Sequence, residues 1–184
     1  MCLNFLNLCK RSSVRNIKKY FTISNVITAV ILGLFLYNRV PVFFENNSLE
    51  GKPLLPQEYS VFNSPESELF PALDQRYIVI FWATWCGPCK VEMNRLQTSV
   101  NEGKIPGDKI VAINSFEEPA IVKKFVKENS YPFTFLNAPE LGDQLKIKVT
   151  PTTLFLDKGV ITQVSSGMSL VGIWRAEKFL RGAL

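Results

Sequence analysis

The amino-acid sequence predicts an α/β layered domain, a mixed β-sheet flanked by helices, carried behind an N-terminal transmembrane helix. Three observations lead there. From Tyr77 onward, short apolar runs rich in β-branched and aromatic residues alternate with segments of helical period, and the order closes with a hairpin and a last helix. A basic run before residue 20 is followed at once by an uncharged apolar stretch. Hydrophobic residues make up 47% of the 184 and charged residues 20%, enough to bury a core and unlike a disordered or coiled-coil composition.

The formal charge of +5 comes entirely from Lys10, Arg11, Arg15, Lys18 and Lys19, since the first twenty residues hold no acid and the remainder is balanced. A nucleic-acid-binding domain, which clusters Lys and Arg on its folded part, is therefore excluded. Phe21 to Tyr37 is uncharged, and 17 helical residues span about 25 Å against a hydrocarbon core of ~30 Å. Lys18, Lys19 and Arg39 can snorkel, and Val40 to Phe44 can lengthen the buried stretch. The positive-inside rule then puts the N-terminus in the cytoplasm.

The resulting division is a basic cytoplasmic tail over 1–20, an uncleaved transmembrane signal anchor over 21–44, a linker over 45–57 and a folded domain over 58–184. The protein is expected in the inner (cytoplasmic) membrane, single-pass, with that domain periplasmic or otherwise extracytoplasmic. Two alternatives stand beside the anchor. A cleaved signal peptide has the same order of charged and apolar regions but needs a small-x-small site, which does not follow here. A buried core helix is the other, because Thr22, Ser24, Asn25 and Thr28 make the first half less apolar than a good span. Cys2 and Cys9 read as free thiols in a reducing compartment, and no apolar region precedes Cys9 as lipoprotein attachment requires.

Residues 38–57 carry three prolines and a polar stretch around Asn46, with no sustained period, as a linker running into the domain edge does. Tyr77 to Trp82 is a continuous apolar run, the mark of a buried central strand. A helix is expected from Pro88 to Val100 and a second buried strand over Ile110 to Ile113. Ser115 to Glu118 has the capping-box spacing, and Ile121, Val122, Phe125 and Val126 recur at helical period after it. A short strand over Phe133 to Leu136, a short helix over Glu140 to Ile147 and a strand over Thr152 to Leu156 follow. Lys158-Gly159 turns the chain into Val160 to Val164, and a final helix runs from Leu170 to Arg181.

The chain contains no histidine. That removes Ser-His-Asp and Cys-His catalysis, His-containing zinc sites and haem attachment through Cys-x-x-Cys-His. Against this background Cys86-Gly-Pro-Cys89 stands where the strand Tyr77 to Trp82 gives way to a helix. A disulfide exchanger needs one exposed thiolate to attack and a second thiol near enough to resolve the mixed disulfide; two intervening residues place both on one turn. Cys86, at the helix start, faces unpaired N–H groups and the positive end of the dipole, which stabilise a thiolate. Cys86 is thus the expected nucleophile and Cys89, one turn in, the resolving thiol. Pro88 suits a first helical turn. A half zinc site would lack its other ligands, because Cys2 and Cys9 fall on the opposite side of the expected membrane. No metal or organic cofactor is expected, only the redox-active pair.

Glu92 lies three residues after Cys89 on the same helix face, and helical side chains lean toward the N-terminus, so its carboxylate is carried back over Cys89. It is the candidate base for deprotonating Cys89, weighed against a solvated carboxylate pairing with Arg95. Trp82 reads as sheet core. Trp85, beside the nucleophile, is a candidate apolar platform for substrate.

Phe81-Trp-Ala-Thr-Trp-Cys-Gly-Pro-Cys-Lys90, with the later Thr150-Pro151, resembles the thioredoxin superfamily in its membrane-anchored TlpA-like thiol-disulfide reductase branch. Element order extends the resemblance over residues 52–184. It implies a thioredoxin fold, a Thr150–Pro151 cis-proline loop packed against the cysteines and offering the Thr150 backbone to substrate, and an active-site role for the Glu at position 92. It further implies reduction of protein disulfides, for example in cytochrome c maturation, with electrons from a membrane thiol donor. One departure matters: where thioredoxin has a buried Asp, six residues before the first Cys, this chain has Ile80. Two other functions stay open, a non-catalytic partner-binding or chaperone module and a thiol peroxidase. Peroxide-reducing relatives carry Thr-x-x-Cys, whereas Ala83 stands three residues before Cys86.

Overall fold

The computed structural model describes residues 23–35, 37 and 48–182. The chain divides into two units, Met1–Phe44 and Glu45–Leu184. In the first, residues 23–35 form helix α1, which carries no charged side chain and exposes its large apolar ones, Ile23, Ile27, Ile31 and Phe35 among them. Among the described residues no helix is long and apolar enough to cross a membrane. The basic tail with Cys2 and Cys9 lies outside the described residues, as does much of the expected span over 21–44.

In the second unit a seven-stranded sheet has the order β2-β1-β5-β4-β3-β6-β7. Its strands are β1 (Gln57–Val61), β2 (Ser67–Phe70), β3 (Arg76–Phe81), β4 (Ile110–Ile113), β5 (Thr134–Asn137), β6 (Thr152–Asp157) and β7 (Val160–Ser166). The helices are α2 (Gly87–Asn101), α3 (Pro119–Glu128), α4 (Pro139–Gln144) and α5 (Gly172–Leu180). β3, β4 and β5 are parallel and every other pairing is antiparallel, which is the mixed sheet the sequence predicts.

The steps β3→β4→β5 move in one direction across the sheet, so right-handed crossovers put α2 and α3 on the same face. Alternation along β3 divides the core accordingly. Ile78, Ile80 and Trp82 pack with Met93 and Leu96 of α2, Val122 of α3 and Phe179 of α5. Tyr77, Val79 and Phe81 point to the other face, against Leu141 of α4 and the incoming Leu49 and Leu54. Near-continuous apolar sequence in β3 follows from burial on both faces.

The structure corrects three expectations. Residues 48–57, read as linker, join the domain: Leu49 and Leu54 are buried, Gly51 N donates to Ile161 O at 2.7 Å and Leu54 N to Gly159 O at 2.7 Å. The β1–β2 hairpin was not expected at all. Six of its nine residues are exposed, so no apolar run announces it. Finally, Ser115 does not cap α3. The helix starts at Pro119 with Glu118 as a cap that makes no side-chain hydrogen bond, because proline is pre-set for a first turn.

Candidate active site

β3 runs into Trp82, whose N donates to Ile113 O at 3.1 Å, and the chain then turns: Cys86 N donates to Ala83 O at 3.1 Å. Cys86 is the N-cap of α2, in extended conformation, and its Sγ accepts from Cys89 N at 3.1 Å. Pro88 occupies the first turn. Cys86 and Cys89 are joined as a disulfide with a Cα–Cα separation of 5.3 Å. Both cysteines are buried, Cys86 at 4% exposure and Cys89 at 0%, so what little solvent contact the pair has is at Cys86.

Glu92 is sealed one turn further on, at 3% exposure. Thr153 Oγ1 donates to its Oε1 at 3.2 Å, while Oε2 has no hydrogen-bond partner among the described residues. Burial pushes the Glu92 carboxyl above the ordinary carboxylate range, opposed by the Thr153 hydrogen bond and the charge of Arg95. A Cβ built on Gly172 would stand 3.4 Å from Oε1, so the start of α5 closes over the acid. The solvated alternative for Glu92 is thus overturned. Arg95 instead donates to Ser169 O and Leu170 O, each at 3.0 Å, and ties the loop before α5 to α2. Ile80 is fully buried in the cluster that holds Cys89, so no acid occupies its position.

The Thr150–Pro151 peptide is cis. Pairing of Phe81 with Thr152 sets Pro151 beside the end of β3 from which the cysteine loop leaves. Pro151 O accepts from Gly167 N at 2.7 Å, and Gly167 has φ +81, the left-handed conformation that a side chain disfavours. Trp82 is core, with ring centroids 4.8 Å from Phe125 and 5.7 Å from Phe135. Trp85 is 68% exposed, and Val149, Met168 and Leu170, from the segments flanking Pro151 and Gly167, are exposed as well.

A second acid had not been singled out. Glu117 accepts from Thr84 N at 2.6 Å, Thr84 Oγ1 at 2.5 Å and Asn114 Nδ2 at 2.7 Å. Burial acts to raise its pKa, but these hydrogen bonds and the charge of Lys90 outweigh that and hold it below the usual range. Nothing local in the sequence links Thr84 to a residue 33 positions away.

The AhpC/TSA family profile matches residues 63–164, more than half of the chain, and spans both cysteines and Pro151. The chain belongs to the AhpC/TSA family. Within this thioredoxin-like family it is 30% identical over 126 residues to a thioredoxin-like protein of Haemophilus influenzae, covering 64% of this chain and 74% of that one. It is 28% identical over 146 residues to the thiol-disulfide oxidoreductase ResA of Halalkalibacterium halodurans, covering 77% and 81%. Its structure is similar to the crystal structure of StoA from Bacillus subtilis, with a TM-score of 0.56, 25% identity and coverage of 69% and 98%. This member of the AhpC/TSA family is a thiol-disulfide oxidoreductase of thioredoxin-like fold.

Proposed function

We propose that the protein is a membrane-anchored protein-disulfide reductase acting outside the cytoplasm, and that Cys86, Cys89 and Glu92 carry the reaction. In the reduced enzyme the Cys86 thiolate attacks a substrate disulfide, forming a mixed disulfide and releasing one substrate thiolate. Glu92 takes the proton of Cys89. The Cys89 thiolate then attacks Cys86 Sγ, the second substrate thiol leaves, and two electrons have passed to the substrate. The observation that carries this reading is the asymmetry of the pair: Cys86 caps the helix, while Cys89 is fully buried one turn before a sealed carboxyl. Trp85, Thr150 and Pro151 form the face that receives the substrate segment. Return to the dithiol requires a membrane thiol donor, and the substrates are specific extracytoplasmic proteins such as an apocytochrome c.

Anchoring rests on the basic run at 10–19 and on the uncharged α1 with its exposed apolar side chains. A tail over 1–20 and an anchor over 21–44 belong to the same reading, with the thioredoxin-like domain extended back from 58–184 to take in residues 48–57. A peroxidase lacks support: Ala83 is buried and supplies no hydroxyl three residues before Cys86.

The test uses the full-length chain in detergent. It should reduce insulin with dithiothreitol as donor, lose that activity on Cys86→Ser, and show a reduction potential nearer ~−270 mV than the ~−120 mV of strong oxidants. Full activity in Cys86→Ser would overturn the assignment, and a potential near the oxidising end would reverse the direction.

A further inference from the structure

We propose that Glu117 is a positioning residue for the nucleophile: it grips Thr84 and so fixes the Ala83–Trp85 loop that aims Cys86 at its substrate. The inference rests on Cys86 being the attacking thiol. The loop between β3 and α2 is short, and its own backbone supplies the Cys86 N to Ala83 O bond. Thr84 lies inside that turn and gives both its N–H and its hydroxyl to one carboxylate. That carboxylate is in turn oriented by Asn114 Nδ2, and Asn114 Oδ1 accepts from Phe116 N at 3.0 Å, so the clamp is braced on the segment leaving β4. A fork of this kind gives geometric definition that one hydrogen bond does not.

The acid is not holding α3 together. Its own helix begins two residues later with Glu118 as cap, and Glu117 spends its oxygens on the cysteine loop and Asn114. Lys90, on the exposed side of α2, supplies a nearby positive charge, and its Nζ lies 5.7 Å from the Phe125 ring centroid. The arrangement ties the approach to Cys86 to the end of β4, whereas Glu92, which serves Cys89, is ordered separately by Thr153 of β6 and the start of α5. Attack and resolution therefore have separate supports, and disturbing one should leave the other intact.

The separation is measurable with 5,5′-dithiobis(2-nitrobenzoate) and the reduced full-length chain in detergent, carrying Cys2→Ser and Cys9→Ser in every variant so that Cys86 and Cys89 are the thiols that react. Cys86 attack releases one thionitrobenzoate, and Cys89 attack on Cys86 releases the second. Glu117→Gln and Thr84→Val are expected to slow the first release about tenfold and leave the second within about twofold. Thr84→Ser should restore the first rate, and the double variant should be no slower than either single one, because both break the same contact. First-step rates within twofold of wild type, or both steps slowed alike, would overturn the proposal. If Glu117→Gln does not fold, the Thr84→Val and Thr84→Ser pair decides. Cys86→Ser is the control: a first release that persists there contradicts the nucleophile assignment, not the clamp.

Discussion

Thr153 and Glu92 meet across the sheet–helix boundary, with the Thr153 hydroxyl 3.2 Å from Oε1 and the other carboxyl oxygen left without a partner among the described residues. A buried acid with one satisfied oxygen is held for its proton. The native state binds that proton more tightly than the unfolded chain, so the stability it contributes is full below the ordinary carboxyl range and is lost as pH rises through the raised native value. Glu92→Gln removes the titration. Melting temperatures of the oxidised chain should therefore separate progressively from wild type as pH rises through that window, the variant gaining; parallel curves would show that Glu92 does not titrate there.

The same substitution has a kinetic outcome. Resolution of the mixed disulfide should accelerate with pH in wild type as Glu92 ionises, and Glu92→Gln should be slower by about 10-fold to 100-fold with that dependence gone. Stopped-flow measurement of the second thionitrobenzoate release across pH checks it. An unchanged profile removes Glu92 from the mechanism.

Trp82 and Trp85 bracket one loop but belong to different environments. Trp82, at 0% exposure against Phe125 and Phe135, should cost about 3–5 kcal/mol when changed to alanine, read by urea unfolding. Trp85→Ala, at a site 68% exposed, should move stability by no more than about 0.5 kcal/mol. Its effect should fall on KM for a polypeptide disulfide, raised several-fold, with little change for a small disulfide. Equal KM for both substrates would argue against a platform.

Arg95 gives both terminal nitrogens to carbonyls of Ser169 and Leu170. Arg95→Met keeps much of the stem and removes the hydrogen bonds, so about 1–3 kcal/mol should be lost locally. Hydrogen exchange should accelerate over 168–172 and remain unchanged in β3 and β4. Uniform acceleration would mean that the tether supports the whole domain.

What could be read in advance depended on how local the cause was. β3 and β4 were legible because burial on both faces writes an unbroken apolar run, and Cys86 with Cys89 because their chemistry fixes their spacing. β1 and β2 escaped because β1 buries two residues of five and the edge strand β2 one of four, too few to write an apolar run. Ser115 misled: its spacing to Glu118 suits a capping box, yet Pro119 sets the start of α3 and Ser115 Oγ ends buried without a partner. The burial of Glu92 is decided by Thr153 and Gly172, and the grip of Glu117 by Thr84, contacts that exist only once distant segments are folded together.

The central claim is that Cys86 attacks and Cys89 resolves. Cys89→Ala leaves the attacking thiol without its resolver, so incubating the reduced full-length variant with insulin and mapping the adducts by mass spectrometry tests it directly. The account predicts a stable mixed disulfide on Cys86, absent from Cys86→Ala. Adducts that form on Cys89 in Cys86→Ala as readily as on Cys86 in Cys89→Ala would contradict it.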